Sequence, residues 1–499
     1  MIKQLAWRIP LGILAGLIGL YAFPTENLWF LAPLIPALTL LATLGLGFGA
    51  AALVGFIAGQ AFYISHIEWL ALYLGPVPLI ALSTLMSIYF ALSSGVTAWL
   101  YKKLKPKAKG LIWFSFAAAS IWTLREWIAA NFPYGGFPWS RLGMTQSVSF
   151  FANYAWWGGI SLITFAVALL GALIALAVLG RKQLKKARLP MLIIAGVTVL
   201  LPAITPLGLG LEQTGEIKIA AVQGNANAGL FSNLERGTIL NNHLEATYQS
   251  VPLDSGVDLI VWPENAADLS PLTSEVARAK IEQLTEDYSA PISFGTITAR
   301  GEEIFNSTIF WEQGIGPTDY YDKKRPVPFA EYVPDRAFWR MLAPDLIDLV
   351  SRGYSFGQRD GIFSNEEFAV GSLICFEIAE DDIPRGLALE GAEIILSQTN
   401  NADFGYSDET YQQAAIAKLR AIETGRAVVN ISTVGKSAIY LPNGSVLDEL
   451  EWYTSAAMVQ SVPKYQGATP ATGIGLWFDA INAAIAMSFL SLGFARRRR

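Results

Sequence analysis

Apolar residues run on for long stretches in the first part of this chain, whereas later they come in short runs separated by polar ones. Residues 27–65 contain no Asp, Glu, Lys or Arg. At 39 residues this stretch is nearly twice the roughly 20 that cross a hydrocarbon core as one helix, so it predicts a helical hairpin, turning near Gly45 to Gly49. Further apolar runs lie at 9–24, 78–101, 110–130, 152–180 and 189–209, and once more at 474–494. By the same length criterion the chain is expected to form a polytopic α-helical bundle of about eight spans, seven before a polar region and one after it. The first run resembles a secretory signal, but no small-residue cleavage site follows and more spans come at once, so it is expected to stay.

The polar region reads differently. Short β-rich runs recur at 216–222, 258–262, 291–297, 307–311, 368–376, 392–396, 428–433 and 436–441, with helix-like segments at 233–250, 274–288 and 408–425 between several of them. Strands alternating with helices predict an α/β domain whose buried sheet is covered on its faces. The stretch 326–357 fits neither pattern and is expected to be a lid or membrane-touching arm.

Composition sharpens the division. Of 499 residues 53% are hydrophobic and 15% charged, with one Cys and two His, and the mean hydropathy is +0.38. Disorder, a disulfide scaffold and an ordinary soluble enzyme are excluded. Residues 1–210 hold three of the 41 acids, Glu26, Glu68 and Glu126. Ten of the fourteen Lys and Arg in that part fall in two loops, Lys102, Lys103, Lys105, Lys107 and Lys109, then Arg181, Lys182, Lys185, Lys186 and Arg188. The positive-inside tendency puts both loops, and the closing Arg496 to Arg499, in the cytoplasm. The expected organisation is therefore a seven-span bundle at 1–212, an extracytoplasmic polar domain at 213–465, and a last span with a basic tail at 466–499.

With two His and one Cys, a Ser-His or Cys-His couple and a multi-His metal site are poorly supplied. His243 reads as a solvated helix residue and His66 as an interfacial one. No P-loop is present, and Gly45, Gly47 and Gly49 lie in an apolar span, where small residues permit close helix packing. No metal, cofactor or nucleic-acid partner is expected.

Three elements remain. Cys375 ends the apolar run 368–376, with Phe376 and Glu377 next. A buried Cys is usually an inert small hydrophobe, but side chains at strand tips project into the crevice where ligands bind, and a nearby carboxylate is a costly neighbour for a structural thiol. The run 258–262 ends in Trp262-Pro263-Glu264, where Pro263 fixes the backbone before a carboxylate that is either a turn residue or a catalytic one. The stiff loop 320–334 carries Lys323, Lys324, Arg325 and Pro328-Phe329-Ala330-Glu331, either as headgroup contacts or as catalytic groups. A thiol is mostly protonated at neutral pH, so it needs a base or a cation nearby, and His is not at hand.

These residues resemble a family. Trp-Pro-Glu, a Lys eight residues before the Glu of Pro-Phe-x-Glu, and Cys-Phe-Glu are similar to the Glu-Lys-Cys triad of the nitrilase superfamily. With spans on both sides, the chain resembles the bacterial apolipoprotein N-acyltransferase family. The resemblance implies an α-β-β-α sandwich domain and an acyltransferase of the bacterial inner membrane, with 213–465 as its catalytic domain. Glu264 matches its general base, Cys375 its nucleophile, and Lys323 the residue that stabilises the oxyanion. Glu331 and Glu377 match supporting carboxylates, and Asn306, Pro334 and Phe376 fall on positions of the family's pattern. Three departures stand out: Ala330 where Gly is usual, Phe376 where Tyr is common, and Asp403 where Asn-Asp-Ala-Trp-Phe-Gly has its aromatic.

The resemblance further implies a ping-pong transfer through a Cys thioester. The acyl donor is a phospholipid, expected to be phosphatidylethanolamine, and the acceptor is the α-amino group of a diacylglyceryl apolipoprotein. Phe338, Trp339, Met341 and Leu342 are candidate lipid contacts, with packing in the domain's own core as the alternative. Arg125 and Glu126 are expected to pair or snorkel near a span end, without a catalytic role. Two other readings stay open: a membrane-tethered amidase acting on a small amide, and a transporter or solute-binding protein.

Overall fold

The computed structural model describes residues 2–107, 109–179, 186–205, 207–229 and 232–495. Arg181, Lys182, Lys185 and Arg496 to Arg499, on which part of the charge reading rests, lie outside them. The chain divides into two compact units, Met1–Pro206 with Ile474–Arg499, and Leu207–Gly473.

The first unit contains α1 (Ile2–Ala22), α2 (Leu34–Thr43), α3 (Phe48–His66), α4 (Leu70–Leu74), α5 (Pro76–Leu104), α6 (Lys109–Asn131), α7 (Ala155–Leu179) and α8 (Arg188–Leu200). Among the described residues, five helices are long and apolar enough to cross a membrane, and two apolar segments, Trp29–Thr43 and Arg188–Ile204, are shorter. The eight spans expected are not reached on length and apolarity. The hairpin is uneven, because α2 starts only after Pro33 and its ten residues rise only about 15 Å. Its turn lies where expected, with Gly45 at φ 85°. Pro202 likewise follows α8 after 13 helical residues.

Of the two alternatives for Arg125 and Glu126, the structure shows the pair, at 2.8 Å and without snorkelling, since both are buried. Glu126 also accepts from Trp122 Nε1 at 2.8 Å, Thr164 Oγ1 at 3.0 Å and the Leu142 N–H at 3.1 Å. The segment after α6 is not α-helical, its 3-10 turn Leu142–Gln146 is buried, and Glu126 supplies an acceptor that such backbone needs away from water. His66 is buried rather than interfacial, its ring 4.1 Å from that of Phe23.

The second unit is built on two six-stranded sheets. The first has the order β12-β1-β2-β3-β4-β5, with β1 (Leu211–Gln223), β2 (Leu259–Val261), β3 (Ile292–Arg300), β4 (Glu303–Glu312), β5 (Gly316–Asp322) and β12 (Ala456–Gly467). The second has the order β11-β10-β9-β8-β7-β6, with β6 (Ile362–Ser364), β7 (Ala369–Ile374), β8 (Ile394–Thr399), β9 (Ala427–Ser432), β10 (Ala438–Tyr440) and β11 (Val446–Glu449). β1, β2 and β3 run parallel, as do β7, β8 and β9. Alternation along the strands sets the layers. Ile217, Ile219 and Ala221 of β1 join Val370, Ile374, Leu396 and Val429 in a core between the sheets. Ala220 and Val222 face the other way, onto Leu240 and Ala246 of α9 (Thr238–Ser250), in a cluster that includes Ile281 and Leu284 of α10 (Glu275–Tyr288). The helices α13 (Asp382–Leu389) and α14 (Glu409–Thr424) pack on the second sheet. This is the α-β-β-α layering expected, with two sheets built from more strands than the pattern indicated.

His243 is a further correction. It is fully buried in α9, its Nδ1 2.8 Å from the Ile239 carbonyl and its ring 5.6 Å from that of Trp262, and burial lowers its pKa to about 4. Residues 326–357 form a connection with two short helices, α11 (Arg336–Leu342) and α12 (Pro344–Ile347). The last helix, α15 (Pro470–Ala495), leads out of this unit.

Candidate active site

The carboxyl ends of neighbouring strands bring the chemistry together. After β2 the chain passes Pro263 and presents Glu264, 5% exposed. Gly295 of β3 allows this corner to lie close, since a Cβ there would meet Asn265 N at 2.5 Å and Glu264 Cα at 2.6 Å. The corner is fastened by Gly295 N–H donating to the Pro263 carbonyl at 3.1 Å and by Gln398 Nε2 donating to the Trp262 carbonyl at 2.6 Å. Lys323 follows β5 directly, its N–H donating to the Asn306 carbonyl at 2.8 Å, so β4 fixes where the ammonium begins.

Lys323 is 2% exposed, and its Nζ lies 2.9 Å from Glu331 Oε2 and 3.6 Å from Glu264 Oε1. Asn306 joins the two carboxylates, donating through Nδ2 to Glu264 Oε1 at 2.7 Å and Glu331 Oε1 at 2.9 Å. Asn400 N–H, at the tip of β8, donates to Glu264 Oε2 at 2.9 Å. Burial foremost, then the charge of Glu331, pushes the Glu264 carboxyl above its usual range against the pull of Lys323. For Lys323 burial alone favours the neutral amine, but Glu331 and Glu264 outweigh it, and its pKa rises well above the ordinary value. The ammonium is therefore permanent at neutral pH.

Cys375 was expected at the end of a strand. β7 stops at Ile374, and Cys375 starts a 3-10 turn, Cys375–Ala379, with φ 54°. A non-glycine residue held in the left-handed region carries a strain of order 1–3 kcal/mol, which the surroundings must impose. Glu377 imposes it. Fully buried, its carboxylate accepts from Ile374 N–H and Lys324 N–H, each at 2.8 Å, from Arg325 N–H at 3.1 Å and from Tyr321 Oη at 2.9 Å. One side chain thus ties the cysteine turn to the lysine loop. Cys375 retains some solvent contact, yet its surroundings are crowded enough that burial, with Glu264, drives the thiol far above its usual pKa despite Lys323. Gln413 Nε2 points at the sulfur from 3.9 Å, and Gln413 Oε1 accepts from Thr399 Oγ1 at 3.0 Å.

Glu331 closes its own loop, accepting the Val327 N–H at 2.6 Å while its N–H donates to the Val327 carbonyl at 2.8 Å. Phe329 rather than Ala330 takes the positive φ there, 63°, so Ala in place of the usual Gly is accommodated. Pro334 is half-buried and precedes Asp335, the N-cap of α11. Phe376 is half-buried beside Cys375. Of the apolar candidates, Phe338, Met341 and Leu342 are 50%, 76% and 65% exposed, so packing in the domain core is excluded for them. Trp339 is half-buried, edge-on to Phe329 at 5.3 Å and Phe338 at 5.1 Å. Asp403, in the turn Ala402–Phe404, is half-buried, and burial followed by the charge of Glu264 raises its pKa to about 7.

Sequence reasoning brought forward Glu264, Lys323, Glu331, Asn306, Cys375 and Glu377, and the fold gathers all six. It gave no role to Gln413 or to the Asn400 N–H. Gln413 carried no local signal on an ordinary amphipathic helix, and Asn400 is separated from the β-rich run 392–396 by the polar Ser397, Gln398 and Thr399.

Residues 15–173 match the apolipoprotein N-acyltransferase N-terminal domain, and residues 218–469 match the carbon-nitrogen hydrolase family. An apolipoprotein N-acyltransferase of Mycolicibacterium smegmatis is 31% identical over 97% of this chain and 84% of its own length. One from Azotobacter vinelandii is 29% identical over 98% and 95%. Among solved structures, a variant of the nitrilase-superfamily amidase of Nesterenkonia AN1 covers 53% of this chain and 96% of its own, at 17% identity and a TM-score of 0.40. With an acyltransferase N-terminal domain before a carbon-nitrogen hydrolase domain, and a relative above 30% identity along nearly its whole length, the chain belongs to the apolipoprotein N-acyltransferase family.

Proposed function

We propose that this protein N-acylates lipoproteins, moving an acyl chain from a phospholipid to the α-amino group of a diacylglyceryl-cysteine through a thioester on Cys375. The reading rests on one observation above all, the convergence of Glu264, Lys323 and the strained Cys375 turn at the carboxyl ends of the strands.

In the first half-reaction the resting thiol is protonated and Glu264 is its base. As Sγ bonds to the ester carbonyl carbon, the thiol proton passes to Glu264 and the carbonyl oxygen gains negative charge. Lys323, held as an ammonium by Glu331, stabilises that oxyanion. The carbon–oxygen bond then breaks, Glu264 returns the proton to the leaving alkoxide, and a lysophospholipid departs. In the second half-reaction the acceptor amine attacks the thioester, Glu264 takes a proton from nitrogen, the carbon–sulfur bond breaks, and the thiolate is reprotonated. Phosphatidylethanolamine is the donor we favour, with the catalytic unit on the extracytoplasmic side of the inner membrane. Holding the site at the bilayer suits two lipid-anchored substrates, because it lowers the orientational cost of bringing them together. Exposed Phe338, Met341 and Leu342 are suited to meet acyl chains.

The test is to incubate purified protein with acyl-labelled phosphatidylethanolamine. Wild type should acquire a hydroxylamine-sensitive label and Cys375→Ala none. Label persisting on the variant would remove Cys375 from the mechanism, and hydrolysis of small amides without any lipid label would favour the amidase reading. Protease added outside spheroplasts should cut within 213–465, and protection there would overturn the orientation.

A further inference from the structure

The segment that follows β8 curls beside Glu264 and is held on several sides. Asn400 N–H donates to Glu264, Gly229 N–H donates to the Ala402 carbonyl at 2.7 Å, and Asn401 Nδ2 donates to Glu409 Oε2 at 2.7 Å and Gln413 Oε1 at 2.9 Å. This rigid turn carries Asp403, whose carboxylate makes no hydrogen bond or ion pair among the described residues. Its charge reaches Glu264, Tyr354 and Tyr453. A half-buried carboxylate without a partner is costly and calls for an explanation.

Aromatic rings stand on the side of Tyr453. Tyr406, 69% exposed, stacks on Tyr453 at 4.1 Å with 23° between the planes and lies 5.2 Å from Trp452. Tyr453 Oη and Trp452 Nε1 are shielded from solvent yet have no hydrogen-bond partner among the described residues. Tyr453 sits at φ 55°, imposed by its N–H donating to the Val434 carbonyl at 2.8 Å and by Asn225 Nδ2 donating to its carbonyl at 3.2 Å. The platform is therefore preset, exposed at Tyr406, and carries unused polar atoms. A carboxylate beside exposed tyrosine faces has the chemistry that recognises a primary ammonium group, through a charge-assisted hydrogen bond and cation–π attraction. Lys323 is already paired with Glu331 and Glu264, which leaves Asp403 to meet a cation brought from outside.

We propose that Asp403, with the rings of Tyr406 and Tyr453, receives the primary ammonium group of a substrate beside the Glu264–Cys375 centre. The inference rests on the functional reading above, in which two substrates bring such a group: the ethanolamine headgroup of the donor and the α-ammonium of the acceptor, which loses its extra proton to solvent before the neutral nitrogen attacks the thioester.

The experiment uses the full-length protein in vesicles and follows each half-reaction separately. Acyl-enzyme formation is measured with phosphatidylethanolamine and with phosphatidylglycerol, and transfer is measured by chasing preformed acyl-enzyme with a diacylglyceryl peptide bearing a free N-terminus. Losing a hydrogen bond to a charged group predicts that Asp403→Asn raises the KM of the ammonium-bearing partner by roughly tenfold or more, with kcat largely kept and Asp403→Glu restoring KM. A rise for phosphatidylethanolamine but not phosphatidylglycerol assigns the headgroup. Normal labelling by both donors with a raised acceptor KM assigns the α-ammonium. Wild-type KM for both ammonium partners in Asp403→Asn would overturn the proposal. If that variant melts early, Asp403→Glu decides, since a KM as poor as that of the Asn variant in a folded protein also overturns it. A wild type that takes no acyl label from either donor would defeat the functional reading, and this inference with it.

Discussion

Lys323 Nζ lies 2.9 Å from Glu331 Oε2, nearer than its 3.6 Å from Glu264 Oε1. The ammonium is thus neutralised mainly by a carboxylate that takes no proton in the proposed cycle, which leaves Glu264 freer to act as base. In Glu331→Gln, Lys323 has only Glu264 to pair with, and a tighter pair makes Glu264 a poorer base and misplaces the ammonium. The expected result is a fall of about a hundredfold or more in acyl-enzyme formation. Unfolding stability should also drop, because removing one partner of a buried pair costs about 3–5 kcal/mol when nothing replaces it. Single-turnover labelling and thermal melts measure the two effects. An undiminished labelling rate would show that Glu331 does not position the lysine.

Glu264 yields a prediction about pH. A base works only when deprotonated, and burial together with Glu331 raises the pKa of this one. The rate of acyl-enzyme formation should therefore fall toward acid with an apparent midpoint above the ordinary carboxylate range. Glu264→Gln keeps the size of the side chain and removes its basicity, so the rate should drop by about 10²–10⁴ and that acid limb should vanish. Rates measured from pH 4 to 8 on both proteins test this, and an unchanged limb in the variant would assign the titration to another group.

Stability should respond to Glu409. The residue is 3% exposed. Burial, strengthened by the charge of Glu264 and opposed by the hydrogen bond from Asn401, raises its pKa to about 8. A carboxyl whose folded pKa exceeds its unfolded value contributes stability that is fully present below the unfolded value, near 4.5, and is lost as pH rises toward about 8. The Glu409→Gln variant cannot ionise. The loss of stability between pH 5 and pH 8 should accordingly be smaller than in wild type, by an amount on the order of a few kcal/mol. Parallel melting curves for the two proteins at pH 5 and pH 8 measure the difference, and equal losses would overturn the assignment.

Features set by neighbours in the chain were legible in the sequence. Trp262-Pro263-Glu264 is a strand, a stop and a carboxylate in succession, and the fold uses it that way. The cysteine turn was visible as residues but not as geometry, because the strain at Cys375 comes from Glu377 bonding to Lys324 and Arg325, more than fifty positions away. Strand β12 escaped notice for a similar reason. It alternates weakly and contains Pro463, but pairs with β1 from Leu211↔Gly467 to Gln223↔Ala456. Strand β5, with polar Thr318 and Asp319 on exposed or half-buried positions, reads as a loop until it is seen at a sheet edge. Of the eight spans expected, five helices among the described residues have the length and apolarity to cross a membrane, and apolar length alone does not reveal that Pro33 and Pro202 bound two shorter helices.

The apolar face of α11 bears on lipid capture. All seven residues of this helix lie outside the core, and Phe338, Met341 and Leu342 are at least half exposed. Exposed positions tolerate polar replacement within about 0.5 kcal/mol, so Phe338→Ser, Met341→Ser and Leu342→Ser combined should leave the melting temperature nearly unchanged. What they remove is apolar area available to an acyl chain, which at about 25 cal/mol per Å² weakens capture of a long-chain phospholipid. The triple variant should therefore show a raised KM for long-chain donor in vesicles but react normally with a short-chain, water-soluble acyl ester, which has little chain to bind. Equal impairment on both donors would place the defect in the catalytic centre, and an unchanged KM on vesicles would remove α11 from lipid binding.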